Sequence, residues 1–321
     1  MLPAAKGVRI PKSVLLALAL TACASTPTSA PSAASGPSLN QATPVDVADL
    51  QGRIAFVSAS ATEDVADIMV LPLGGSREPH ATRISHSELG EFFISPSWSP
   101  DGTRIAYQHT NADEVAVYVM RADGADRQLV ATEAAAPAWS PDGSELAISN
   151  LEPSKRGLAL VELIGVADGR RQITNVPETV PEEYPAWSPD GLRLAFNSHR
   201  TGGSDVWAAD RDGSHLVDLT DTPSLDVSPN WSPDGSRIAF SSDSTGGGDV
   251  YLMDPDGSNL VRLTDDPEYD GGPVWSPDGE FLAYCSRRSG NLALWVMRAD
   301  GSGETPLVNT PDEDLMISWT E

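Results

Sequence analysis

From residue 50 onward, apolar residues come in short runs separated by Gly, Pro, Asp and Ser, a pattern of brief strands rather than helices. One set of runs reads Ile105-Ala106-Tyr107, Leu194-Ala195-Phe196, Ile238-Ala239-Phe240 and Leu282-Ala283-Tyr284, always with Ala between two large residues. A small residue flanked by large ones suits a strand packed on both faces. A second set, such as Val117-Tyr118-Val119-Met120 and Val250-Tyr251-Leu252-Met253, runs into Asp-Gly turns at Gly124, Gly169, Gly213, Gly257 and Gly301.

Both sets ride on a longer period. Trp-Ser-Pro-Asp followed by Gly begins at Trp98, Trp139, Trp187, Trp231 and Trp275, and a bare Trp319 follows, at spacings of 41, 48, 44, 44 and 44 residues. Pro and Asp fit the central positions of a type I turn and Gly its exit, so each unit reads as four strands with a turn after the Trp. Such a period is the mark of propeller blades. Gly52 to Phe56 looks like a second strand with no Trp strand before it, and Leu315 to Trp319 like a first strand with nothing after it. The expectation is all-β: a six-bladed β-propeller of four-stranded antiparallel blades over residues 49–321, its ring closed by pairing the C-terminal strand with the N-terminal blade.

The start of the chain has a different character. Lys6, Arg9 and Lys12 precede the apolar run Val14 to Leu20, too short to span a bilayer and right for a signal peptide over residues 1–22. Residues 23–48 are rich in Ser, Thr, Pro and Ala and read as a disordered tether. Loss of the leader removes three basic groups and takes the formal charge from −25 to −28. That field opposes nucleic acid and anionic lipid, and favours cations or basic partners. Of the two cysteines, Cys285 ends a strand of the buried type and reads as a small core residue.

Leu20-Thr21-Ala22-Cys23 resembles the bacterial lipobox, which implies lipidation of Cys23 and a cell-envelope lipoprotein: outer membrane, periplasmic side, in a Gram-negative host, otherwise the outer face of the cytoplasmic membrane. Trp-Ser-Pro-Asp-Gly, an aliphatic-Ala-aromatic strand, an Asp-Val-Tyr or Asp-Val-Trp strand and an Asp-Gly turn together resemble the WD-like repeats of the TolB family across residues 50–321. The resemblance implies a periplasmic protein-binding propeller, the family's member in the Tol-Pal system binding the lipoprotein Pal. It departs from that pattern in having no mixed α/β domain ahead of the propeller. The implied partner is another envelope protein, engaged by a monomer through a basic or disordered segment, with the membrane met through the lipid alone.

Chemistry is sparse. Gly-x-Ser-x-Gly is absent, and the repeated turn aspartates Asp101, Asp142, Asp190, Asp234 and Asp278 serve a fold better than a single site. The repeated Trp residues read as packing between blades. A resemblance to oligogalacturonate lyases, whose related propellers hold a metal with histidines, suggests the alternative of a small-ligand or carbohydrate-binding or carbohydrate-processing propeller. The five histidines, His80, His86, His109, His199 and His215, read as loop residues and not as a shared metal site. The protein is therefore expected not to be an enzyme. Five residues before each Trp stand Phe93, Ala134, Glu182, Asp226, Asp270 and Asp314. The expectation is that Glu182, Asp226, Asp270 and Asp314 form an arc at a channel mouth that takes a cation, with Ca²⁺ possible at Asp226 and Asp270, or a basic group of a partner.

Overall fold

The computed structural model describes residues 43–60, 62–163 and 169–321. Cys23, the leader and residues 23–42 of the tether lie outside the described residues. The rest of the tether is built into the fold. Val45 and Val47 are buried, the first donating its N–H to the Gly303 carbonyl at 2.9 Å, and a 3-10 helix at Val47–Asp49 is capped by the Asp46 side chain. Two apolar side chains are enough to dock a segment otherwise composed like a linker.

Almost everything else is strand. The chain begins with β1 (Arg53–Ala59), β2 (Ala66–Pro72) and β3 (Thr82–Arg83), then β4 (Phe92–Trp98), β5 (Arg104–Thr110), β6 (Val115–Arg121) and β7 (Gln128–Thr132). It continues with β8 (Ala134–Trp139), β9 (Glu145–Asn150), β10 (Gly157–Glu162) and β11 (Arg170–Gln172). Next come β12 (Glu182–Trp187), β13 (Arg193–Ser198), β14 (Asp205–Asp210) and β15 (Val217–Asp218). The last are β16 (Asp226–Trp231), β17 (Ile238–Ser242), β18 (Asp249–Met253), β19 (Val261–Arg262), β20 (Asp270–Trp275), β21 (Phe281–Ser286), β22 (Ala293–Arg298), β23 (Thr305–Val308) and β24 (Glu313–Thr320).

From β8 to β23 these strands form four antiparallel sheets of four, each in sequence order. The remaining eight form two antiparallel groups, β24-β1-β2-β3 and β4-β5-β6-β7, joined by one parallel bridge between Ala66 and Phe92. The last strand pairs with the first, Trp319 opposite Ile54 and Leu315 opposite Val57. The six strands that end in Trp touch in succession, β24 to β4, β8, β12, β16, β20 and back to β24.

The apolar clusters lie between units rather than within them, and this explains the central Ala. Ala55 packs with Trp98, Ala106 with Trp139, Ala147 with Trp187, Ala195 with Trp231, Ala239 with Trp275 and Ala283 with Trp319. Each Ala belongs to the unit before its Trp, and only a small side chain leaves room for the indole. Arg53, Arg104 and Arg193 cover the outer faces of Trp98, Trp139 and Trp231 at 4.6, 4.7 and 5.7 Å.

The turns after the Trp residues have the expected form. The Gly102 N–H donates to the Ser99 carbonyl at 2.8 Å, and the Ser99 hydroxyl donates to Asp101 at 2.6 Å. The same serine-to-aspartate bond recurs at Asp142, Asp190, Asp234 and Asp278. These bonds hold the Asp101 and Asp142 carboxyls down at about 2.

Candidate functional site

Each strand that ends in Trp carries the same defect. Pairing with the next strand slips just before the Trp, and a residue in the slipped stretch adopts the left-handed conformation: Ser95, Ala136, Tyr184, Ser228, Gly272 and Met316, with φ between 45° and 63°. Five of the six are non-glycine, an arrangement costing about 1–2 kcal/mol each. The next residue is Pro96, Pro137, Pro185, Pro229 or Pro273, and Ile317 in the sixth strand. Proline has no N–H to lose at a broken ladder, so it fits the bulge.

Side chains of the neighbouring unit hold these bulges. The Ala136 N–H donates to Gln108 Oε1 at 3.3 Å, that of Ser228 to Asn197 Oδ1 at 2.9 Å and that of Gly272 to Ser241 Oγ at 2.7 Å. The Ser95 N–H meets Met316 Sδ at 3.4 Å. The bulge residues line a central cavity of about 580 Å³ that reaches the prolines of the Trp-Ser-Pro-Asp turns. Glu321 is the one charged residue in its lining. The alternation of apolar and polar residues gave no hint of the bulges, although the X-Pro step three and two residues before the Trp was a readable signal.

The four acids expected at a channel mouth occupy equivalent strand positions but do not line this cavity. They are buried, none more than 3% exposed, each paired in register with a serine: Glu182 with Ser198, Asp226 with Ser242, Asp270 with Ser286 and Asp314 with Ser58. Glu182 is fully engaged, by Arg200 Nε at 2.6 Å, Ser198 and Thr174. Asp226 and Asp314 each accept one hydroxyl, from Thr222 and Thr310, both at 2.8 Å. Asp270 meets Arg288, whose guanidinium lies 4.6 Å over the Trp295 ring and also binds Glu304 at 2.9 Å. Burial raises all three aspartate carboxyls, Asp270 to about 7 and Asp314 to about 6. The facing serines lower them, yet no donor meets Oδ1 of Asp226, Asp270 or Asp314 at hydrogen-bonding geometry. Among the described residues no three His, Cys, Asp or Glu come together as a metal site.

His109 is not a solvent-facing loop residue. Its ring lies 4.9 Å from Phe93, with Nδ1 3.1 Å from Glu114 and Nε2 3.7 Å from Glu91. The carboxylates sit on opposite nitrogens, which is not the arrangement of a shared metal. His199 is half-buried and burial depresses its pKa, while His80, His86 and His215 are exposed. A further set of buried acids escaped the sequence reading: Asp67, Asp205 and Asp249 accept bonds from Ser85, Thr222 and Arg262, among others, and tie outer strands to β2, β14 and β18. Thr201 and Thr245, four residues ahead of Asp205 and Asp249, were the available signal.

Residues 159–319 match the family described as the TolB beta propeller domain. TolB from Acinetobacter baumannii is 23% identical, with 87% of this chain and 68% of that one aligned at a TM-score of 0.71. The putative TolB from Agrobacterium tumefaciens is 25% identical over 82% of this chain and 89% of that one, at 0.63. An oligogalacturonate lyase in complex with manganese shares the fold alone, at 14% identity over 82% and 75% of the two chains and a TM-score of 0.53. No curated protein matches the chain.

Proposed function

Because the chain belongs to the TolB β-propeller family, we propose that it is a non-catalytic protein-binding scaffold of the cell envelope, a closed ring of six blades anchored by a lipid on Cys23. The two antiparallel groups of the eight-stranded sheet count as two blades, and the β24–β1 pairing supports closure. The binding site is the central cavity. Its partner is an extended segment of another envelope protein, largely uncharged where it enters, with a basic residue placed at the rim beside Glu321.

The observation that carries this reading is the ring of bulges. Each holds the backbone in a strained conformation, and strain of that kind persists where the surrounding structure holds it for a purpose. It gathers five side chains, Gly272 and five prolines around one cavity, and in a very acidic protein the lining holds a single charged residue, Glu321. A proline-walled cavity with one charged residue favours burial of a largely uncharged backbone over a charged small ligand.

The test is a photocrosslinking residue in place of Tyr184 in the intact membrane-anchored protein. An adduct with one envelope protein is expected, and it should vanish when Gly272→Met fills the cavity. Met316 occupies the same backbone conformation, and a Cβ on Gly272 meets Cys285 Sγ only at 4.0 Å, so the variant should fold. An adduct unaffected by the filled cavity, in a folded variant, would sink the reading.

A further inference from the structure

Asp226, Asp270 and Asp314 start the innermost strands of three successive units and stand two residues before the bulges Ser228, Gly272 and Met316. They are 1%, 0% and 0% exposed, and each has a carboxylate oxygen that no donor meets at hydrogen-bonding geometry, although the facing Ser242, Ser286 and Ser58 hydroxyls partly offset its burial. Glu182, at the same position in a fourth unit, shows the alternative solution. Its longer side chain reaches a cation and two hydroxyls and is fully satisfied.

The aspartates lack that surrounding. Asp226 faces Thr220, Thr222 and Ser242, and its charged neighbour is Asp205, which opposes ionisation. Asp314 faces Ser58 and Thr310, with Asp312 as the charged neighbour. Asp270 has Arg288, but that guanidinium also serves Glu304 at 2.9 Å and Asp266 at 3.7 Å, and Tyr284 donates to Glu304 rather than to Asp270. A buried carboxylate with an orphan oxygen is costly, whereas its neutral acid form supplies the proton that the site lacks.

We propose that these three aspartates form a proton-operated latch behind the cavity wall: protonated, they fix the starts of β16, β20 and β24, and ionised, they loosen these strands and the bulges that follow. Burial lifts the Asp270 and Asp314 carboxyls to about 7 and about 6, which places the change within the range of mildly acidic to neutral surroundings. The sign follows from linkage. In the unfolded chain an aspartate titrates near ~4, so the folded state holds extra protons from about pH 4 to 7, and the stabilisation is full below that window and lost as pH rises through it. The inference rests on the cavity being the binding site only for its biological consequence, since the latch operates without a partner.

The test is amide hydrogen exchange of residues 226–231, 270–275 and 314–319 at pH 5 and pH 8, corrected for intrinsic exchange, in the purified full-length protein. Wild type should be better protected at pH 5, by roughly tenfold for each unit by which a controlling carboxyl's folded value exceeds 5. The triple variant Asp226→Asn, Asp270→Asn, Asp314→Asn should show the same protection at both pH values, and β8, which has Ala134 at the equivalent position, should show no such difference in either protein. Should the triple variant not fold, Asp314→Asn alone must remove the pH dependence of residues 314–319. Wild-type protection that is equal at the two pH values, or a folded variant that keeps the wild-type difference, overturns the latch. Neither result bears on the crosslinking outcome that tests the cavity.

Discussion

Gly52 and Thr320 meet backbone to backbone: a Cβ on Gly52, whose φ is +91°, would stand 2.1 Å from the Thr320 carbonyl oxygen. The contact joins the start of the folded body to its last strand, and Trp319 reinforces it by donating its indole N–H to the Gln51 carbonyl at 2.9 Å. Gly52→Ala therefore combines left-handed strain with a clash against an atom that cannot move without breaking β24. A loss of at least about 2 kcal/mol is expected. Deleting residues 314–321 should unfold the domain altogether. Thermal unfolding followed by circular dichroism checks both, and an unchanged melting temperature in the deletion would mean that β24 is dispensable.

The packing of Trp against the preceding Ala predicts an asymmetric pair of outcomes. Ala239→Leu crowds Trp275 and should cost about 1–3 kcal/mol, whereas Trp275→Ala opens a cavity and should cost about 3–5 kcal/mol. Combining the two should cost less than their sum, because the leucine partly refills the space left by the indole. Denaturant melts of the two single variants and the double variant measure the coupling directly.

Much of this architecture was legible because the repeat states it several times over. The Ala between large residues, the Ser-Pro-Asp-Gly turn and the orphan strands at the two ends each had one physical explanation, and the structure contains the corresponding contacts. The candidate site was less legible. Counting five residues back from each Trp found the right strand position for Asp226 and Asp270, but period alone does not say which face a side chain takes when a bulge intervenes. The bulge reorders the faces between Asp226 and Trp231, so acids expected at a mouth are inside the units. The docking of Val45 was missed for another reason, since composition averages over a window and two apolar residues disappear in it.

Acid sensitivity should arise from the turn aspartates. The Asp101 and Asp142 carboxyls are lowered to about 2, first by the serine hydroxyl of the turn and then by backbone and side-chain donors beyond it. A lowered folded value means that the stabilisation is present above the unfolded value near ~4 and lost as pH falls toward 2. Asp142→Asn should flatten the acid limb of a plot of melting temperature against pH without moving the neutral one. Both groups are exposed, so the effect of one variant will be small and the expected result is a change of slope.

Cys23→Ser tests the anchor. The wild-type protein should partition with membranes and carry a diacylglyceryl mass on its mature N-terminal cysteine, and the variant should be released. Mass spectrometry of the mature N-terminus and fractionation of cells decide it. A wild-type protein recovered unmodified in the soluble fraction would remove the lipid from the account and leave the propeller's cavity unaffected.

Arg288 is the last case, because it is the cation that three carboxylates share. Its side chain is 14% exposed, held over Trp295 and bonded to Asp270, Glu304 and Ser286. Arg288→Met keeps much of the stacking volume but removes the charge, which leaves Asp270 and Glu304 buried together without a counter-ion. Removing one partner of a buried pair costs about 3–5 kcal/mol, more than the intact pair contributes. The loss should depend on pH. Arg288 is the largest influence opposing the rise of the Asp270 carboxyl above its ordinary value, so without it that carboxyl rises further and remains protonated to higher pH. At pH 5 the variant escapes part of the cost by keeping a proton on Asp270, and at pH 8 keeping that proton becomes costly. The difference in unfolding free energy between wild type and Arg288→Met should therefore grow from pH 5 to pH 8, and adding Asp270→Asn should remove most of that growth. A loss that is equal at the two pH values would show that Arg288 acts through packing on Trp295 alone.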